Sequence, residues 1–328
     1  MSGLEPSQGD NAALPQPSTF MRSHPLWRFA MIVVSAASLA WVLWLLADVW
    51  PQLAAQRGQL RMSWLLEGFV LSALASAVSG AAFVVLAPLF GVHGLRRIEL
   101  AHFYFSGQVL KHLPGRVWGI GYQWASSPAA IGGFRGWLLA NVMHLLLGMF
   151  FVLWCAASVL AFARALPLGA FAVAVGLALY AAGWSIARFA TQRRWPSWLP
   201  KRVSGLRDGM HEALRAATPA LRARIFALFL VSSACFYLSW YCYGESWPLL
   251  GGSAGVRMCA YYLIAWLIGY LSLLTPSGLG VRELAFAWLA QDFPGDSIAY
   301  MAAIGRGSLL GVDLLLGVAF LPFAPRRR

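Results

Sequence analysis

The chain has 328 residues, of which 59% are hydrophobic and 11% are charged, and its formal net charge is +13. Soluble domains average about 45–50% apolar and about 25% charged residues. This composition therefore excludes an ordinary soluble enzyme, a disordered chain and a disulfide-rich secreted scaffold, and it predicts an all-α polytopic membrane protein. The basic residues frame apolar runs and no nucleic-acid-binding motif occurs, so we expect no nucleic-acid partner.

Seven apolar runs follow a polar N-terminal tail at residues 1–26. Each approaches or exceeds the length of about 20 residues that a helix needs to cross the hydrocarbon layer. Their apolar residues cover all faces, which is typical of a helical bundle rather than a barrel. The seven predicted spans cover residues 28–47, 64–90, 137–162, 167–187, 225–247, 257–275 and 298–322. They divide the chain into a first membrane half at 27–187, a basic loop at 188–224, a second membrane half at 225–323 and a basic tail at 324–328.

The basic loop at 188–224 sets the predicted orientation, because it carries nine arginine or lysine residues against two acidic ones. Cytoplasmic loops are rich in arginine and lysine, so we expect this loop and, by counting spans backwards, the N-terminus to be cytoplasmic. Counting forwards places the C-terminus outside, although it ends in three arginines. This conflict predicts an additional crossing assembled from broken pieces around 276–293.

Apolar residues recur at helical spacing within the basic loop. The pattern predicts a helix that either lies flat on the anionic leaflet or is solvated without touching lipid. The residues of the pattern are Leu206, Met210, Leu214, Ala217 and Leu221.

Two predicted re-entrant segments, at 103–123 and 276–293, are interrupted by proline and glycine beside charged residues. Proline removes a backbone donor and glycine permits turns, so a helix breaks at such places. Irregular backbone is tolerated at membrane depth only where protein or water covers it. The first break has Pro114 and Gly115 between Lys111 and Arg116, and the second has Pro276, Gly278 and Gly280 before Arg282 and Glu283.

Breaks in corresponding places of two halves indicate a transport site in an inverted-repeat carrier. Half-helix N-termini, together with Lys111 and Arg116, offer positive charge that suits the phosphate of a lipid headgroup. Glu283 either balances Arg282 or accepts a cationic headgroup. Alternatively, Lys111 and Arg116 anchor a loop at the interface. The pattern of span, break and span reads 64–90, 103–123 and 137–162, and again 257–275, 276–293 and 298–322.

Residues 111–118, KHLPGRVW, and residues 276–283, PSGLGVRE, resemble two signatures of the lysylphosphatidylglycerol synthase transmembrane-region family. The order of the motifs and their multi-span setting also fit, and the resemblance covers about residues 28–322. His112 stands where the family has an aromatic residue, and Ser277 where it often has glycine. The motif positions carried over are Lys111, Pro114, Gly115 and Arg116, then Pro276, Gly278, Gly280 and Glu283.

The resemblance implies a multi-pass protein of the bacterial inner membrane, with paired re-entrant helices around a lipid cavity. Members include flippases and proteins encoded beside glycosyltransferases, so the implied partners are membrane lipids and a glycosyltransferase or lipid-modifying enzyme. Because predicted spans occupy most of the chain, we expect no aminoacyl-transferase domain and no synthesis of lysyl-lipid.

Two ionisable residues, Arg306 and Asp313, lie inside the last predicted span. Such residues are costly in a membrane and are therefore functional candidates. They are seven positions apart, which places them on one helix face about 10 Å apart along the axis. Asp313 is a candidate for proton or ion coupling, with a structural buried pair as the alternative. Arg306 has Glu283 and Asp292 as alternative partners.

The sequence contains no metal-ligand spacing and no HExxH, GxSxG or GxxxxGK[ST] motif, so we expect neither a metal, a cofactor nor catalytic activity. The predicted function is the movement of an anionic lipid, a phospholipid or a lipid-linked saccharide, between the leaflets of the inner membrane. Two alternatives stay open. One is an intramembrane transferase acting on a polyprenyl phosphate, and the other is a non-catalytic subunit that supports a lipid- or glycan-synthesis enzyme.

Overall fold

The protein is an all-α polytopic membrane protein with ten α-helices and no β-strand in the part of the chain that its computed structural model describes. These described residues are 51, 60–112, 118–127, 133–192, 201–248, 250–271 and 280–325. The helices are α1 (Met62–Leu86), α2 (Arg97–Leu110), α3 (Trp118–Ser126), α4 (Gly133–Arg164), α5 (Leu166–Gln192), α6 (Lys201–Ala216), α7 (Pro219–Ser246), α8 (Ser253–Leu271), α9 (Val281–Leu289) and α10 (Gly295–Phe320).

Six of these helices are long and apolar enough to cross a membrane, namely α1, α4, α5, α7, α8 and α10. Short 3-10 turns extend α1 to Phe90 and α10 to Phe323. The six helices coincide in position with the predicted apolar runs from 64–90 onwards, with ends shifted by a few residues. The seventh predicted span, 28–47, and the predicted tail at 1–26 lie outside the described residues. Large apolar side chains such as Phe171 and Leu179 are exposed on the surface, as lipid-facing helices require.

Helices α2 and α3 form a first antiparallel hairpin that corresponds to the predicted re-entrant segment 103–123. The Gln123 side-chain amide near the end of α3 donates to the carbonyl oxygen of Phe103 at 3.2 Å. Closer to the connection, a Cβ atom added at Gly119 would lie 2.8 Å from the carbonyl oxygen of Gly107. The two helices therefore touch backbone to backbone. The connection itself, with Pro114 and Gly115, lies outside the described residues.

The base of this first hairpin is fixed by Arg96 and Glu99. The Arg96 backbone N–H donates to Glu99 Oε2 at 2.8 Å, and its guanidinium donates to Oε1 at 2.9 and 3.0 Å. Burial raises the pKa of Glu99, but the Arg96 contacts outweigh it and hold that pKa below its ordinary value. The resulting carboxylate in the first turn also complements the positive end of the α2 dipole.

The close backbone contact between α2 and α3 can be tested with two glycine-to-alanine substitutions on α3, one at the contact and one away from it. We expect Gly119→Ala to destabilise the protein by about 1–3 kcal/mol, because the added methyl group meets backbone that cannot move aside. A Cβ atom at Gly121 would meet nothing within 4 Å, so Gly121→Ala is expected to be neutral or stabilising by up to about 1 kcal/mol. Thermal unfolding of the purified variants measures the difference, and equal stabilities would contradict the backbone contact.

Helices α8 and α9 form a second antiparallel hairpin. The rings of Tyr262 and Phe286 are 5.0 Å apart, and the Arg257 guanidinium near the start of α8 lies 5.5 Å from the ring of Phe293, beyond the end of α9. At the other end, a Cβ atom at Gly269 would lie 2.6 Å from the Cβ of Arg282. Helix α9 therefore runs back along α8, and the hairpin returns to the side of the membrane where α8 begins.

This return resolves the orientation conflict of the sequence. Helix α9 supplies the additional leg predicted around 276–293, and α10 then crosses the membrane. Phe320 at the end of α10 lines the same cavity as Gly209 and Glu212 of α6. The described C-terminal end therefore lies on the membrane face that carries α6, here called the α6 face. The basic residues 326–328 lie outside the described residues.

The two membrane halves pack as an inverted repeat. Helices α1 and α7 are antiparallel, since the Arg61 N–H donates to the carbonyl oxygen of Ser246 at 3.1 Å and Ser232 Oγ donates to that of Ala75 at 2.9 Å. Contacts among the helices that repeat occur in equivalent pairs: α2 packs on α10 as α8 packs on α4, and α1 packs on α2 as α7 packs on α8. The equivalent of α1 is therefore α7, and not residues 257–275 as the sequence pattern predicted, because α8 belongs to a hairpin.

Helix α6 confirms the predicted helix within the basic loop, but its apolar side is neither solvated nor free to face lipid. Ala213 and Leu214 are buried, and Leu206 and Met210 pack against the same apolar core. Its apolar face docks on the bundle, which neither sequence prediction anticipated.

Candidate functional site

The tips of the two hairpins meet at one helix, α10. Arg306 and Asp313 are close to the middle of this 26-residue helix, on one face and about 10 Å apart along its axis. Arg306 contacts the second hairpin and Asp313 contacts the first. Helix α10 therefore connects the flanks of both predicted breaks.

The first cluster forms where α2 ends. Asp313 Oδ2 lies 2.9 Å from Lys111 Nζ and 2.7 Å from His112 Nε2. The side chain of Asp313 is only 6% exposed, whereas those of Lys111 and His112 are each 27% exposed. Lys111 Nζ also donates to Gln108 Oε1 at 2.9 Å. A cation at the end of α2 is favoured by the helix dipole, and the buried carboxylate requires such a partner.

The second cluster forms where α9 begins. Glu283 Oε1 accepts hydrogen bonds from Arg282 Nε at 3.2 Å and Arg306 Nε at 3.0 Å. Glu283 Oε2 accepts from the Gly280 N–H at 2.9 Å and lies 2.7 Å from Arg306 Nη2. Gly280 has a φ of +80°, which favours glycine at this position. Both carboxylate oxygens therefore engage protein groups, and Glu283 serves to hold the break together.

The second cluster contains more cationic than anionic charge. The Arg282 side chain is 7% exposed, and its guanidinium carbon lies 5.6 Å from the centre of the Tyr262 ring. The Arg306 guanidinium contacts both oxygens of Glu283, through Nε at 3.0 Å and Nη2 at 2.7 Å. In the two clusters together, three cationic side chains (Lys111, Arg282 and Arg306) face two carboxylates (Asp313 and Glu283), an excess of one cation without His112.

The charged site candidates that the structure describes form two separate ion-paired groups at α10. Arg306 pairs with Glu283, which was one of the predicted alternatives, whereas Asp313 pairs with Lys111 rather than with Arg306. The contact of Lys111 with a mid-span carboxylate argues against a role as an interfacial loop anchor. The other candidates at the breaks lie outside the described residues: Pro114, Gly115, Arg116, Pro276 and Gly278.

Sequence reasoning did not find three residues of these clusters, His112, Gln108 and Tyr262. His112 counted only as a departure from the family pattern, although a histidine beside Lys111 is itself a potential partner for a buried carboxylate. The contact between His112 and Asp313 joins positions 201 residues apart. No local pattern can show such a pair.

Among the described residues, no group of three or more histidine, cysteine, aspartate or glutamate side chains could hold a metal ion. The chain matches no model of a known protein family, and no curated protein is similar to it in sequence. The resemblance therefore depends on the two motifs alone.

Proposed function

We propose that the protein moves an anionic lipid, a phospholipid or a lipid-linked saccharide, between the leaflets of the bacterial inner membrane. The observation that carries this proposal is the meeting of both hairpin tips at α10, with Lys111 and Arg306 held near the middle of a membrane-crossing helix. Charged groups at that depth are expensive and mark substrate pathways in membrane proteins.

The chemistry of the two clusters favours an anionic headgroup. The two clusters contain one more cationic side chain than carboxylates. The first motif contains one further cationic residue, Arg116. Guanidinium groups bind phosphate through two parallel hydrogen bonds. In this proposal Lys111, Arg116 and Arg282 contact the phosphate, while Glu283 positions Arg282 and Arg306.

The inverted repeat supplies a mechanism for exposing this site to both leaflets in turn. Lys111 belongs to the first half and Asp313 to the second, so their contact joins the halves. The contact between Glu283 and Arg306 lies within the second half. Rocking of one half against the other would open the first contact and preserve the second. Lys111 would then exchange Asp313 for a lipid phosphate.

The resemblance and the charge pattern complete the proposal. The loop at 188–224 carries α6 and is rich in arginine, so we place the α6 face and the N-terminus on the cytoplasmic side. The family resemblance suggests a glycosyltransferase or lipid-modifying enzyme as a partner, which co-purification tests.

Leaflet exchange of a fluorescent phosphatidylglycerol in proteoliposomes tests the proposal. We expect Lys111→Gln/Arg116→Gln to lower the exchange rate at least about tenfold, because two charge-assisted contacts to phosphate are lost. Arg164→Gln/Arg188→Gln removes the same charge from exposed positions of α4 and α5 and should exchange lipid at the wild-type rate. Equal rates for the wild type and Lys111→Gln/Arg116→Gln would overturn the proposal.

A further inference from the structure

A cavity of about 1160 Å³ opens on the α6 face, outside the two charged clusters. Its walls come from α1, α2, α4 and α6, together with the start of α7 and the end of α10. Drug-sized ligands occupy pockets of about 300–1,000 Å³, so this cavity is large enough for a longer molecule.

Three exposed arginines, Arg97, Arg135 and Arg224, line the rim of this cavity. None of them is ion-paired within the described chain. A Cβ atom at Gly209 would lie 2.9 Å from Arg135 Nη2, so this glycine lets the guanidinium lie against α6. One carboxylate, Glu212, also lines the cavity and leaves an excess of two positive charges.

Much of the remaining wall of this cavity is apolar. It includes Val84 and Leu89, and Phe105 and Phe320, whose rings are 4.6 Å apart. Val84 and Leu89 belong to one candidate membrane span and Phe320 to another. Apolar surface contributed by candidate membrane spans and exposed cationic groups together match the two parts of a phospholipid.

We infer that this cavity holds one anionic glycerophospholipid from the leaflet on the α6 face. The phosphate contacts Arg97, Arg135 and Arg224, and an acyl chain lies along Val84 and Phe320. A soluble phosphate would leave the apolar wall uncovered, whereas an acyl chain covers it. The inference does not depend on transport, because a lipid can be held here without crossing the membrane.

Native mass spectrometry of the full chain in detergent tests this site with two probes, dioleoylphosphatidylglycerol and dioleoylphosphatidylcholine. We expect Arg97→Gln/Arg135→Gln/Arg224→Gln to retain at least tenfold less phosphatidylglycerol than the wild type. The matched variant Arg164→Gln/Arg188→Gln/Arg215→Gln loses the same charge from exposed positions outside the cavity and should retain the wild-type amount. Equal loss in both triple variants, or equal retention of the two lipids by the wild type, would overturn the inference.

A second variant fills the cavity without changing charge. Ala81 lines the cavity and is exposed, so Ala81→Trp should exclude the acyl chain and lower retention of phosphatidylglycerol at least about fivefold. Ala174→Trp, at an exposed position on α5, is the control for an added indole. Unchanged retention in Ala81→Trp would contradict occupation of the apolar wall.

Discussion

Replacing Asp313 with asparagine is expected to destabilise the folded protein by about 3 kcal/mol. Asparagine keeps the shape of the side chain but removes the charge that neutralises Lys111, whose Nζ is 2.9 Å from Asp313 Oδ2. Removing one partner of a buried ion pair costs about 3–5 kcal/mol, and the low end applies because Lys111 and His112 keep part of their exposure. Thermal and denaturant unfolding in detergent measure the change.

Two further variants separate the loss of charge from other effects of the Asp313 substitution. Asp292→Asn removes an exposed carboxylate near the start of α10 and should change stability by less than about 0.5 kcal/mol. Lys111→Met/Asp313→Leu replaces the pair with apolar side chains of similar size and should recover most of the lost stability. We expect this stable double variant to remain defective in lipid exchange. If Asp313→Asn were as stable as Asp292→Asn, Asp313 would not be the counter-ion of Lys111.

Substitutions of Glu283 and Arg306 in the second cluster should lower the stability of the protein by different amounts. Glu283→Gln leaves the buried guanidinium groups of Arg282 and Arg306 without a carboxylate, so we expect it to cost about 4 kcal/mol. Arg306→Met leaves Glu283 paired with Arg282 and should cost about 1–2 kcal/mol. The order of the two effects follows from the ratio of two cations to one anion in this cluster.

Unfolding of the same series provides the measurement and its control. Glu67→Gln changes an exposed carboxylate on α1 and should be nearly neutral. The double variant Glu283→Gln/Arg306→Met still leaves Arg282 without a carboxylate, so it should be more stable than Glu283→Gln but less stable than the wild type. If Arg306→Met lost more stability than Glu283→Gln, the second cluster would not be held together by the Glu283 carboxylate.

The spans could be predicted from sequence because hydrocarbon thickness translates directly into the length of an apolar run. The prediction of 137–162 matches α4 at Gly133–Arg164, apart from the ends. The role of α8 could not be predicted in this way. Its apolar length indicates a span, whereas its antiparallel contact with α9 through Gly269 and Arg282 makes it one leg of a hairpin. That contact depends on close packing, which leaves no periodic signal.

The sequence predicted several residues of the candidate site, but it did not predict which of the charged side chains contact each other. Proline and glycine beside charge identified Lys111, Arg282 and Glu283, because buried charges and broken helices are both rare in membranes. Lys111 and Glu283 find their partners on α10, where Asp313 lies 202 residues beyond Lys111 and Arg306 lies 23 residues beyond Glu283. Which charge neutralises which is decided by the packing of the halves, and the sequence pattern contains no information on that packing.

The contact of Lys111 and His112 with Asp313 also has a consequence for biogenesis. Synthesis proceeds from the N-terminus, so the ribosome delivers these two basic residues long before it delivers their counter-ion, which lies 201 residues downstream of His112. The first hairpin cannot be electrostatically complete at the stage when its own helices emerge. This contact can form only after α10 has been synthesised, so the central charged core is completed later than all the other described helices.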